Sequence, residues 1–214
     1  IGKGCPVDFY KIENDQRPLQ EIPPGLEKLL PGKTIVLNII KAYPEEIAFR
    51  IKWIFKVVEN KQIKMGHMPG ITEEMMMNSV NVDFERMKMV ADGLIETLED
   101  AAQLHITTVA GTDILLGVAG RKFIGDIGVQ PGEMCNIPCG EVYSPPLETA
   151  ANGIIVFDAS IGDIGLLKHP LKVSVQKGRI TKFESDDKEL VKRITELTNI
   201  DEDAKVIGEL GIGV

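Results

Sequence analysis

The sequence predicts a fold between the α/β and α+β classes: a helix-rich α/β N-terminal part followed by a strand- and loop-rich part with a mixed sheet. In the first hundred residues, a short run of branched apolar residues is followed by amphipathic helical patterns. From residue 104 the period shortens to that of strands, and glycines become dense after residue 117. We therefore predict two parts, residues 1–100 and residues 101–214.

The N-terminal part is predicted to contain a buried strand over residues 34–40, because this run is apolar and rich in β-branched side chains. Pro44 suits the first position of the helix that follows. Thr72 and Asp83 are expected to begin two further helices, after a break at residues 67–70. The predicted inward face of the first helix consists of Ile47, Ile51, Ile54 and Val58.

The second part is predicted to contain two strands that pair as a hairpin or lie as neighbours, then a second hairpin and a late helix. Residues 104–109 and 113–118 are strand-like and separated by a turn-prone Ala-Gly-Thr. Lys177 and Gly178 are expected to form the turn of the second hairpin. Asp186 is predicted to cap the helix that follows.

The charge balance excludes some partners. With 24 basic and 32 acidic residues, the net charge is −8 and the sequence pI is near 5.0, so no nucleic acid is expected as a partner. The apolar runs are far shorter than the roughly 20 residues of a membrane-spanning helix, so no membrane is expected either. The chain lacks an initiator methionine, and we expect it to be an interior fragment of a longer product.

Three cysteines, Cys5, Cys135 and Cys139, cannot all pair, which predicts a reducing, cytoplasmic location. The Cys-x3-Cys spacing suggests a metal clip, but no second cysteine pair completes a tetrahedral site. Small buried thiols beside a glycine-rich turn are the favoured interpretation. His67 is interpreted as a loop histidine, for which a solvated or structural role is the commoner case.

Two glutamates are the candidate metal ligands. Glu141 follows a turn stiffened by Pro138, and a carboxylate on a stiff backbone loses little freedom on binding a cation. An ordinary solvated loop glutamate is the alternative. Glu209 lies between glycines in an apolar segment, so an inward carboxylate there needs a cation, or a basic partner such as Arg121.

The order of six short blocks is more specific than any one of them. They are Gly111-Thr-Asp113, Gly120-Arg121, Asn136-Ile-Pro-Cys-Gly-Glu-Val142, Ala151-Asn-Gly153 with Ile154-Ile-Val-Phe-Asp158, Gly178-Arg-Ile180 and Glu209-Leu-Gly-Ile-Gly213. In this order they resemble the thermophilic metalloprotease family of leucyl-type aminopeptidases, from residue 103 to the end.

The resemblance implies a metallo-aminopeptidase with two divalent ions, zinc, cobalt or manganese, that activate water against the first peptide bond of a peptide substrate. It places metal ligands at Glu141 and Glu209. The family's remaining ligands, histidines and an aspartate, follow the last block, so the 214 residues alone are expected to be inactive. No residue is assigned as a catalytic acid or base. By analogy with relatives, a homodimer is expected.

Some roles stay open. Arg121 is a candidate for binding a substrate carboxylate, and a structural ion pair is an equal alternative. Cys139 could add a soft donor beside Glu141 or simply pack. Alternative functions are an iron-dependent ring-cleaving dioxygenase of the same superfamily and a non-catalytic binding protein on the same scaffold.

Overall fold

The computed structural model describes residues 4–162 and 164–214. Its contacts divide the chain into two units. Unit 1 contains the described residues of 1–88 together with 126–140, and unit 2 contains those of 89–125 and 141–214. Residues 1–3 of the predicted N-terminal part lie outside the described residues. Each unit is made of two segments that alternate along the chain. The sequence instead suggests a single domain boundary near residue 100, and that boundary stays a prediction.

The secondary structure is that of a mixed α and β protein, as the sequence predicts. The α-helices in the described residues are α1 (Ile47–Val58), α2 (Glu73–Met77), α3 (Phe84–Leu98) and α4 (Lys188–Leu197). The strands there are β1 (Ile35–Ile40), β2 (Lys64–Pro69), β3 (Gln103–Thr107), β4 (Asp113–Gly117), β5 (Ile124–Asp126), β6 (Met134–Asn136), β7 (Glu141–Ser144), β8 (Ala151–Phe157), β9 (Ser160–Ile161), β10 (Gly165–Leu166), β11 (Leu171–Gln176), β12 (Arg179–Glu184) and β13 (Leu210–Gly213).

Unit 1 is built on a parallel sheet with the strand order β1-β2-β6. The predicted strand over residues 34–40 is confirmed as β1. Parallel neighbours require a crossover connection, and α1 provides it between β1 and β2. The core of this unit lies around α1 and the start of β2, and its buried members are Leu26, Phe49, Trp53, Val57, Ile63 and Met65.

The predicted inward face of α1 is wrong for Ile47 and Ile51, whereas Ile54 is partly buried and packs against the core of this unit. The buried residues of this helix are Phe49, Trp53 and Val57, at i, i+4 and i+8, whereas Ile47 and Ile51 are about half exposed. Both stripes of the helix are apolar, so periodicity could not rank them. The aromatic stripe is buried because its larger side chains remove more apolar area from water.

The interpretation of His67 as a loop residue is also wrong. Residues 64–69 form β2, the central strand of the parallel sheet, and His67 is only 4% exposed. Pro69 sits at the last position of the strand, where the loss of one N–H donor is tolerated.

Unit 2 is built on a five-stranded antiparallel sheet with the order β12-β11-β8-β4-β3. Both predicted hairpins are present, as β3–β4 and β11–β12. The helix α4 covers the sheet with Leu190 and Ile194, and its cap is Asp187, one residue after the predicted Asp186. A smaller sheet has the order β13-β7-β5.

The turn between β11 and β12 contains a strained residue. Lys177 and Gly178 have φ of 49° and 76°, the left-handed pair that a two-residue type I′ turn requires. The Lys177 amide donates to Asn152 Oδ1 at 2.8 Å, which holds this conformation. A left-handed conformation costs a residue with a Cβ atom about 1–2 kcal/mol, and asparagine tolerates it better.

We therefore expect Lys177→Asn to stabilise the protein by about 0.5–1 kcal/mol, a part of that strain. The measurement is the free energy of unfolding in urea. Lys172→Asn is the matched control, because it places the same substitution in strand β11, where asparagine is disfavoured. Equal effects from the two substitutions would contradict the turn argument.

Candidate metal-binding sites

The two predicted metal ligands lie on segments that pair with each other. Glu141 is the first residue of β7, and Glu209 directly precedes β13. These strands are antiparallel neighbours, with Glu141 opposite Gly213 and Ser144 opposite Leu210. Although they are 68 positions apart in the sequence, the two glutamates therefore lie on one pair of neighbouring strands in unit 2.

The side chain of Glu141 lies over Gly211. A Cβ atom at Gly211 would meet a carboxylate oxygen of Glu141, with the carboxylate carbon 3.6 Å away. Because side chains on a strand alternate between faces, Gly211 and Gly213 share the face of Glu141, and Glu209 is next in the same alternation. The missing side chain of Gly211 thus leaves room for a carboxylate that leans toward the Glu209 end.

The register also sets the spacing of the two backbone positions. Continued by one residue, it places Glu209 opposite Pro145, four positions along the strand from Glu141, or about 14 Å. Glu141 is partly buried and hydrogen-bonded or charge-paired, whereas Glu209 is exposed. The inward placement expected for Glu209 is therefore wrong, and the role of both glutamates as metal ligands stays a prediction.

Arg121 is engaged in an ion pair. Its Nη2 donates to both carboxylate oxygens of Glu148 at 2.8 Å. The pKa of Glu148 is lowered, mostly by a hydrogen bond from its own backbone amide and next by the Arg121 guanidinium. The Nε of Arg121 is buried without a hydrogen-bond partner among the described residues. The ion pair is the alternative that the sequence left open, and the role of Arg121 toward substrate stays a prediction.

A second group of ligand atoms lies in unit 1. A carboxylate oxygen of Asp126 and the sulfurs of Cys135 and Cys139 all lie within 4.8 Å of one another. Cys135 is buried in β6, while Asp126 and Cys139 are partly buried. The sequence indicated the Cys-x3-Cys pair but not Asp126, because the aspartate ends a three-residue strand with no recognisable pattern.

His67 lies in a buried polar contact of unit 1. Its Nδ1 is 2.8 Å from Nδ2 of Asn38, its register partner on β1. Burial, and to a lesser extent the charge of Arg50, lower the pKa of His67, so the imidazole is held neutral. Neutral imidazole can accept the amide hydrogen of Asn38, which gives both buried groups a partner.

Comparison with known proteins decides the family. The family model described as thermophilic metalloprotease (M29) matches residues 78–214. The chain belongs to the thermophilic metalloprotease family M29. This result confirms the resemblance seen in the sequence blocks, and the matched range includes the β7–β13 pair with Glu141 and Glu209. No curated protein matches the chain.

Two solved structures share the M29 chain's fold. Wild-type AmpT from Thermus thermophilus has a TM-score of 0.64 at 16% identity, covering 88% of this chain and 57% of AmpT. The 2,5-dihydroxypyridine dioxygenase from Pseudomonas putida KT2440 has a TM-score of 0.61 at 17% identity, covering 87% of this chain and 52% of the dioxygenase. The M29 chain thus spans little more than half the length of either structure, and at these identities the likeness is one of fold.

Proposed function

We propose that this M29 protein is a metal-dependent aminopeptidase of the leucyl type that hydrolyses the N-terminal peptide bond of a peptide through metal-activated water. The observation that supports it most is the placement of Glu141 and Glu209 on paired strands within the range that matches the metalloprotease family. We further propose that two divalent ions, zinc, cobalt or manganese, are bound there.

Glu141 and Glu209 would hold the ions from the two ends of the β7–β13 pair. Divalent ions held there would make a water molecule nucleophilic near neutral pH and polarise the scissile carbonyl. The missing Cβ of Gly211 leaves room for the Glu141 carboxylate. Two carboxylates do not complete the coordination of two ions, so the site would need further ligands.

Arg121 is proposed to orient a substrate carboxylate. Its guanidinium holds the Glu148 carboxylate through Nη2, which is the kind of contact that a substrate carboxylate would make in exchange. Glu148 is largely exposed, so a substrate carboxylate would be able to replace it. Arg121 would then be paired with a carboxylate both with and without substrate.

The test is hydrolysis of a leucine amide by the purified full-length protein after metal removal and readdition. We expect no activity without metal and recovery with zinc, cobalt or manganese. Glu141→Gln is expected to weaken metal binding by at least the roughly 10–100-fold that losing an outer-shell partner costs, with activity falling in parallel. Wild-type protein that binds these metals but hydrolyses no amino-terminal peptide bond would overturn the proposal.

Two further variants separate metal binding from a general loss of structure. Glu196→Gln makes the same chemical change at an exposed position on α4 and is expected to leave activity unchanged. Gly211→Ala adds one methyl group against the Glu141 carboxylate and is expected to weaken metal binding while both glutamates remain. A fully active, tightly metal-binding Gly211→Ala variant would show that the Glu141 carboxylate does not need this space.

An iron-dependent ring-cleaving dioxygenase is the second candidate, supported by the fold shared with the Pseudomonas enzyme. Ring cleavage requires redox-active ferrous iron with open positions for oxygen, whereas peptide hydrolysis uses redox-inert ions. Elemental analysis of the purified protein separates the two: iron alone, with no amide hydrolysis, would favour the dioxygenase. A non-catalytic binding protein would show neither activity.

We also propose a cytoplasmic homodimer. Cys5, Cys135 and Cys139 are all free thiols, in keeping with a reducing compartment. Among the described residues, no helix combines the length and apolar composition that crossing a membrane requires. Light scattering of the purified protein would give the oligomeric state.

A further inference from the structure

A cluster of three ligand atoms in unit 1 is chemically unlike the Glu141–Glu209 pair. The sulfurs of Cys135 and Cys139 and a carboxylate oxygen of Asp126 lie within 4.8 Å of one another. Two sulfur donors and one oxygen donor suit a borderline-soft transition metal such as zinc better than the hard cations magnesium and calcium. The cluster is contained within residues 126–140, so unit 1 supplies it alone.

Three elements of the fold bring the donors together. Cys135 is the middle residue of β6, fixed by its parallel pairing with Gly66 of β2. Cys139 follows in the short turn between β6 and β7, and Asp126 is the last residue of β5. Residues on strands are held more firmly than residues on long loops, so two of the three donors are preorganised.

The carboxylate of Asp126 lacks a compensating partner. It is partly buried, and within residues 4–162 and 164–214 it has no hydrogen bond or ion pair; its neighbours are the two thiols. Burial raises the pKa of Asp126. A partly buried acid without a cation or donor is unfavourable when ionised, and a divalent ion between the three groups removes that cost.

The thiols show the same lack of positive charge. Burial, followed by the nearby Cys139 and Asp126, raises the pKa of Cys135 to about 11. A coordinated thiol is deprotonated outright, because the metal charge outweighs burial and like-charge repulsion. The environment therefore disfavours a free reactive thiolate and is compatible with a metal-bound one.

The dimensions of the cluster are close to those of a metal centre. With zinc–sulfur bonds of about 2.3 Å, sulfurs in a tetrahedral site lie about 3.8 Å apart. The 4.8 Å limit of the cluster is thus within about 1 Å of that spacing, which side-chain rotation of Asp126 and Cys139 can supply. Three protein donors leave a fourth position for water.

We propose that Cys135, Cys139 and Asp126 form a thiolate-rich binding site for a zinc-class divalent metal in unit 1, built from other residues than the Glu141–Glu209 pair. This proposal does not depend on the aminopeptidase activity. Cys139 would then be a soft metal donor, as the sequence left open. It would share its metal ion with Cys135 and Asp126, not with Glu141.

The experiment is titration of reduced, metal-stripped full-length protein with Co²⁺ alone, followed by ultraviolet absorbance. Thiolate-to-cobalt charge transfer gives a near-ultraviolet band that carboxylate ligands do not give. We expect the amplitude of this band at saturation to correspond to one thiolate-bound cobalt ion per chain, because cobalt at the carboxylates adds nothing to it. We expect Cys135→Ser and Cys139→Ser each to lose most of it, and Asp126→Asn to keep it with an affinity lower by about 10–100-fold or more.

Control variants assign the signal to this site. Cys5→Ser removes an exposed thiol outside the cluster and should leave the band unchanged. Glu141→Gln should also leave it unchanged, so that failure of the aminopeptidase proposal and failure of this one are distinguishable. Circular dichroism checks that each variant is folded; Cys139→Ser, at a less buried position, is the second variant if Cys135→Ser unfolds. No charge-transfer band in the reduced wild type, or a full band in folded Cys139→Ser, would overturn the proposal.

Discussion

Replacing Arg17 by alanine is expected to destabilise the protein by about 3–5 kcal/mol, the usual cost of leaving one member of a buried ion pair without its partner. The Glu46 side chain is fully buried, and that of Arg17 is only 7% exposed. Arg17 Nε donates to Glu46 Oε1 at 2.8 Å, and its Nη2 donates to Oε2. Arg17 also donates to the Lys41 carbonyl and stacks over the Tyr43 ring, 4.4 Å from its centroid.

The destabilisation by Arg17→Ala is expected to depend on pH, because Arg17 affects the pKa of Glu46. Burial alone would raise the pKa of Glu46, but hydrogen bonds from Arg17 and Leu19, with the charges of Arg17 and Arg50, lower it overall. A lowered pKa in the folded state stabilises the fold above the unfolded value of about 4.3, and this contribution is lost as the pH falls through the folded value. Arg17→Ala removes most of the lowering, so its stability should approach that of the wild type as the pH falls below about 4.3, through the folded pKa of Glu46.

Urea unfolding at several pH values measures both effects. The double variant Arg17→Ala/Glu46→Gln is the control, because it also removes the buried charge and should be less destabilised than Arg17→Ala alone. Arg17→Lys keeps the charge but loses the two-pronged contact, so an intermediate loss is expected. A loss below about 1 kcal/mol for Arg17→Ala, typical of exposed pairs, would contradict the argument.

Replacing Gly178 by alanine is expected to destabilise the protein by roughly 2–6 kcal/mol. Strain at a left-handed φ contributes about 1–3 kcal/mol, and crowding of a packed position about 1–3 kcal/mol more. Gly178 has a φ of 76°, and an added Cβ would overlap the Glu148 carbonyl, with the carbonyl carbon at 2.6 Å and Thr149 Cα at 3.1 Å. These atoms are backbone, so they cannot rotate away as a side chain could.

The matched control is Gly93→Ala in α3. No atom lies within 4 Å of a Cβ at Gly93, and alanine is favoured over glycine inside a helix by about 0.5–1 kcal/mol. The same glycine-to-alanine change should therefore stabilise at position 93 and destabilise at position 178 in thermal or urea unfolding. A similar sign at both positions would rule out the contact around Gly178 as the cause.

The sequence predicts those elements whose structure depends on a few neighbouring residues, such as helix caps and tight turns. Thr72 and Asp83 cap their helices through side-chain acceptance of the Met75 and Arg86 amides. The Lys177-Gly178 turn fixes its hairpin for the same reason, since two adjacent residues carry the required conformation. Each of these features is decided within a few residues.

Features that depend on distant residues were missed. The β2 strand containing His67 was not predicted, because its strand character comes from parallel pairing with β1 and β6 rather than from its own pattern. Asp126 was not selected as a candidate ligand, because only the fold brings it to Cys135 and Cys139. Glu141 and Glu209 are predicted from their local settings and from the family resemblance, and the strand pairing agrees with that prediction without testing their role.

The late addition of β6 to the edge of the sheet in unit 1 has a consequence for protein synthesis. Residues 126–140 return to unit 1 only after 37 residues of unit 2, 89–125, have intervened. During synthesis, β2 must therefore wait with one edge uncovered until β6 leaves the ribosome, and an expression fragment ending at residue 88 or 100 would never receive that strand. Fragments intended to isolate the N-terminal half should extend through residue 140.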